Sequence, residues 1–114
     1  MSAVHRYVVP ADGAWHDFYM NGLVLHVAAR NEAFAEVWAA YNPDADVWLR
    51  QFAVIATGQV LPNEGGWLHA GSGTAPNGYA YHVISRRSQG KESTFVHPEI
   101  VREHNLNVGE ASDF

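Results

Sequence analysis

Residues 34–58, FAEVWAAYNPDADVWLRQFAVIATG, decide the fold class. Two apolar arms flank a turn at Asn42-Pro43-Asp44-Ala45-Asp46. On the first arm Phe34, Trp38 and Ala40 share one parity, and Val37, Ala39 and Tyr41 the other. On the second arm Trp48, Phe52, Val54 and Ala56 alternate with Leu49, Gln51, Ala53 and Ile55. Short runs of β-branched and aromatic residues around a Pro/Asp turn predict strands. The stretch therefore reads as a β-hairpin ending at Gly58. Ala and Glu are good helix formers, which leaves a helical alternative over Glu32–Tyr41. The turn and the matching arms favour the strand.

Upstream, VHRYVV (4–9) reads as a strand closed by Pro10, and Trp15–Met20 as a second short strand. Asn21-Gly22 is a two-residue hairpin signal, because both residues tolerate positive φ. It leads into LVLHVAAR (23–30), with Leu23, Leu25, Val27 and Ala29 on one face and Val24, His26, Ala28 and Arg30 on the other. Downstream, QVLPNEGG (59–66) is a long loop and Trp67–Ala70 a brief strand. GSGTAPNG (71–78) reads as an aperiodic connection. YAYHVISR (79–86) is the last clear strand, with Tyr79, Tyr81 and Val83 on one face. About seven or eight short strands predict an all-β domain over residues 1–90, a small antiparallel sandwich or barrel. Residues 91–114 form an acidic tail, irregular or short-helical, with Pro98 at the first position of one or two helical turns.

Composition narrows the function classes. The chain has 114 residues, 47% of them hydrophobic and 12% aromatic, enough for one domain with one core. Four tryptophans in so short a chain predict a core dominated by a few large side chains. The formal charge is −5 and there is one lysine, so the basic footprint that a phosphate backbone demands is missing. Nucleic-acid binding is therefore not expected. The absence of cysteine excludes disulfides, thiolate nucleophiles and Cys-ligated metal. The first twenty residues hold Asp12, His16 and Asp17 and no apolar run, so no signal peptide is expected. No apolar run approaches the length of a membrane span, so membrane partners are not expected either.

The segments LVLHVAAR, VWAAYNPDA (37–45), RQFAVIATGQVLP (50–62) and WLHAGSGTAPNGYAYHVIS (67–85) resemble a family of small uncharacterised proteins of actinobacteria and their phages. The shared features fall at Leu25-His26-Val27-Ala28, Trp38 to Asp44, Phe52 to Pro62, Leu68 to Gly73 and Tyr81-His82-Val83. The opening VHRYVVPADGAWHDF is similar as well. The resemblance covers residues 4–86 and excludes the tail. Two positions depart from the pattern. Ala56-Thr57-Gly58 stands for a Gly-Thr-Gly, and Tyr81 for a Trp before the closing His. The resemblance implies a phage-encoded origin, located in the cytoplasm of the host cell or in the virion, and brings no catalytic residues with it.

Seven histidines are the first candidates for chemistry. His26 and His82 sit mid-strand, and neighbouring strands would let the two rings face each other. No HxH or HExxH spacing enforces convergence, so no metal ligand and no cofactor is assigned. Gly71-Ser72-Gly73 lacks the frame of a nucleophile elbow and of a phosphate loop, and no catalytic residue is assigned. Glu32, Glu36, Asp44 and Asp46 read as solvated turn and outward strand positions, and Arg86-Arg87 as a solubilising strand end. The aromatic residues exceed what one thin core holds. Trp15, Tyr19, Tyr41, Trp67 and Phe114 are the candidates for an exposed protein interface. The expectation is a non-enzymatic domain working through a protein partner or self-association, either as a host-protein binder or as a virion component. The alternative is a metal-dependent or small-molecule-binding protein using the strand histidines.

Overall fold

A computed structural model describes residues 2–87, and these form seven strands and no helix. In chain order they are β1 (Ala3–Pro10), β2 (His16–Met20), β3 (Val24–Ala28), β4 (Phe34–Tyr41), β5 (Trp48–Ala56), β6 (Leu68–Thr74) and β7 (Ala80–Arg87). They build two antiparallel sheets, ordered β1-β4-β3 and β2-β5-β7-β6. The proposed tail helix around Pro98 lies outside the described residues.

Both arms of the 34–58 stretch are strands, but they are not a hairpin. β4 is the centre of the three-stranded sheet, and β5 pairs with β2 and β7 in the other sheet. Asn21-Gly22 likewise joins strands of different sheets. The two connections cross the sandwich at the same end and are tied together there. Asn42 N–H donates to Asn21 Oδ1 at 2.9 Å, and Asn21 Nδ2 donates to the Asn42 carbonyl at 2.7 Å. One side chain thus reproduces the reciprocal bonds of a strand pair. Gly22 is required for a different reason than a hairpin turn. Its φ is not left-handed, and a Cβ there would lie 2.2 Å from the Ala40 carbonyl oxygen.

The core divides by size. Towards the interior the three-stranded sheet presents Tyr7, Val9, Val27, Ala35, Val37 and Ala39, mostly small. The larger Phe18, Met20, Phe52, Tyr81 and their neighbours come from the facing sheet. Small opposite large lets the layers interdigitate. None of the four tryptophans is fully buried, so the large core residues are Tyr, Phe and Met instead. Trp15 and Trp67 pack on Ala53, Ile55 and Ile84, on the outer face of the four-stranded sheet. This covering explains why both parities of β5 and β7 are apolar. Arg86 completes it by stacking over Trp15 at 4.1 Å and donating to Gln51 at 2.7 Å and to Glu64 at 3.2 Å. It is a packing element, not a solubilising end.

Two bulges break the alternation on which strand faces were read. One lies between Val24 and His26, the other between His69 and Gly71. The first puts Leu25 out of phase with buried Val27, leaving it exposed while Val24 packs against the core. β6 also continues through Gly71-Ser72-Gly73, read above as a connection, because β7 supplies a full ladder up to Thr74. The glycines there answer to packing. A Cβ on Gly71 would meet Val27 Cγ2 at 2.6 Å, and one on Gly73 the Ala29 nitrogen at 3.0 Å. The edge strands β3 and β6 thereby close one side of the sandwich.

The Tyr7 hydroxyl is buried without a hydrogen-bond partner. Burial, with the nearby Tyr41, pushes its pKa up. An unpaired buried donor costs free energy that Phe does not incur. Tyr7→Phe is therefore expected to leave stability unchanged or to raise it by about 1 kcal/mol. Urea denaturation checks this, and a loss of stability would show that the hydroxyl has a partner.

Candidate functional site

His69, Ser72 and His82 meet on the outer face of the four-stranded sheet. Ser72 lies directly opposite His82 in the β6–β7 ladder. His69 is three residues before Ser72, a spacing that would place the two on opposite faces of a regular strand. The bulge at Ala70 removes that phase difference and turns both side chains to one face. His69 Nε2 is then 2.7 Å from Ser72 Oγ, and His82 Nδ1 is 2.6 Å from the same oxygen. The ring centroids are 5.9 Å apart. A serine hydroxyl holds one proton, so when it donates to one imidazole the other must donate to it.

The opposite outer face carries a buried charge. Glu36, on β4, is 1% exposed although read as a solvated position. Arg6 Nε donates to Oε2 at 2.6 Å, while Arg30 donates through Nε to Oε1 at 2.7 Å and through Nη2 to Oε2 at 2.6 Å. The Arg30 hydrogen bonds, with those from Arg6, hold the carboxyl below its usual range against the opposing effect of burial. Arg30 also lies over Trp38 at 5.8 Å, and His26 tilts against that ring at 5.2 Å. His26 is thus in the three-stranded sheet and His82 in the four-stranded one, and the two do not converge.

The remaining described histidines are separate. His16 contacts Asp12 at 2.9 Å, a hydrogen bond that lowers the Asp12 pKa. His5 stacks on Tyr41 at 4.7 Å, and burial lowers its pKa. Among the described residues no three His, Asp or Glu side chains form a metal-holding group. His97, His104 and Phe114 lie outside the described residues.

Of the aromatic interface candidates, Trp15, Tyr19, Tyr41 and Trp67 are each half-buried. The strongly exposed large apolar side chains are different ones, including Leu23 (78%), Leu25 (56%), Val60 (85%) and Leu68 (68%). The close approaches of Gly71 to Val27 and of Gly73 to Ala29 set a parallel alignment along the β3–β6 seam. Leu25 stands on β3 and Leu68 on β6, the two edge strands that pack on each other there. No alternation in the sequence signals the exposure of Leu25, because it depends on the bulge there.

No curated protein and no solved structure matches the chain. A family model for a domain of unknown function, DUF7352, matches residues 1–94, a span that takes in all seven strands and the His69–Ser72–His82 cluster. The chain belongs to the DUF7352 family.

Proposed function

We propose that the protein is a non-enzymatic, phage-encoded interaction domain that acts by binding a protein of the host cell. The observation that carries this reading is the exposure of Leu25 and Leu68 on β3 and β6, two edge strands that pack on each other. Large apolar side chains exposed on neighbouring edge strands are the kind of surface that a protein contact covers. Leu25 supports the reading further. A bulge turns it away from the core on an edge strand, and bulges commonly re-aim a side chain at a functional edge. The phage assignment rests on the resemblance of residues 4–86.

The test is an affinity capture from host lysate, comparing the full chain with a Leu25→Glu/Leu68→Glu variant and a Thr74→Glu control. Both leucines are exposed, so the double variant is expected to fold normally. A stoichiometric partner held by wild type and control and released by the double variant is the expected result. A partner retained by all three would move the contact elsewhere. A chain that captures nothing would overturn the reading.

A further inference from the structure

We propose that His69 and His82 form a binding site for a divalent transition-metal ion of the zinc class. Two imidazole nitrogens from adjacent, hydrogen-bonded strands are aimed at one point, which Ser72 Oγ now occupies at 2.7 and 2.6 Å. A zinc–imidazole bond is about 2.0–2.1 Å long. A metal ion at that point therefore asks each ring to close in by only about 0.5–0.7 Å. The ladder fixes Ser72 opposite His82, and the bulge at Ala70 brings His69 to their face, so the sheet holds the rings in place before any ion arrives. The hydroxyl moves aside to admit the ion.

The same atoms make a poor acyl-transfer site. A serine nucleophile needs a base whose other nitrogen is oriented by a third group. Here both rings spend their contact on the same hydroxyl, and among the described residues neither has a carboxylate partner. Two imidazole nitrogens without an acid suit a borderline-soft cation and not Ca²⁺ or Mg²⁺, which take oxygen ligands. Two protein ligands leave coordination positions open towards solvent. His69 and Ser72 are exposed, and His69 lies beside Leu68. A ligand from outside the chain has access to a metal ion held there.

The experiment is a zinc titration of the full-length, tag-free protein, followed by the NMR signals of the histidine rings and backbone. Saturable shifts centred on His69, Ser72 and His82, with none from Ca²⁺, are the expected result. His69→Ala and His82→Ala should each weaken zinc at this site by about tenfold or more, since even outer-shell changes cost 10–100-fold. Ser72→Ala should keep the site, because the hydroxyl is what the ion displaces, and His26→Ala should leave it untouched. Thermal melts of the variants verify folding. Zinc shifts that bypass these residues, or that persist unchanged in a His69→Ala/His82→Ala double variant, would overturn the proposal. So would the absence of any shift in the wild type.

Discussion

Gly22→Ala is expected to destabilise the domain by about 3 kcal/mol, the upper part of the range for overpacking a tight site. For a domain of this size that corresponds to a fall in Tm of roughly 12–24 °C. The added methyl would sit 2.2 Å from the Ala40 carbonyl oxygen and 2.7 Å from its carbon. These are backbone atoms of a strand paired on both sides, so no side chain can rotate away. The connection cannot lift off easily either, because Asn21 is bonded to the Asn42 backbone in both directions. Gly58→Ala is the control. It has left-handed φ but open space around it, so it bears backbone strain of only about 1–2 kcal/mol. Thermal melts by circular dichroism compare the two. A Gly22→Ala protein melting within about 4 °C of wild type would show that the crossover shifts at little cost.

Glu36→Gln should be nearly as damaging, at about 3 kcal/mol, because breaking a buried ion pair strands the remaining charge. The low end of the range applies, since the Arg30 side chain is 68% exposed and only Arg6, at 12%, is left largely out of water. Gln keeps the shape of the side chain and removes the charge, which separates electrostatics from packing. The pH dependence follows from the sign of the shift. The folded-state pKa of Glu36 lies below the ordinary 4.5, so its contribution is fully present above pH 4.5 and is lost as pH falls through the lowered value. The gap between wild type and variant in urea denaturation should hold at neutral pH and close in acid. Asp12 and Glu64, also shifted down, are common to both proteins and cancel in the difference. A gap that stays constant into acid would assign the loss to packing.

The strands themselves were readable because alternation and turn residues are local properties. Each observed strand up to β5 falls within a residue or two of its expected place. Pairing was not readable. Asn-Gly and Asn-Pro-Asp serve as well in a crossing between sheets as in a hairpin, and the close fit of Gly22 under Ala40 in the crossing is a long-range contact that the local sequence does not mark. Burial of Glu36 depends on Arg6, thirty residues away, and on Arg30 beyond the end of β3. In β6 the glycines erase the pattern that would mark a strand, since their role is to leave room for Val27 and Ala29. The His69–Ser72–His82 cluster was hidden for a related reason. Strict alternation separates His69 from Ser72, and the bulge that unites them has no mark in the sequence. The tryptophans misled through size, because Trp15 and Trp67 cover the outside of a sheet and do not fill the space between the two.

The strand order also dictates when each half of the molecule can form. All three members of the β1-β4-β3 sheet are complete by Tyr41. The other sheet is different, because β7 is the interior strand that joins β5 to β6. Until β7 has been synthesised, β5 lacks its second partner and β6 has none. The β2–β5 pair, which supplies Phe18, Met20, Phe52 and Val54 to the core, is complete at Ala56, but the four-stranded sheet is complete only at Arg87. Between those two points the unpaired edge of β5 and the partnerless β6 are the kind of strand edge that favours aggregation.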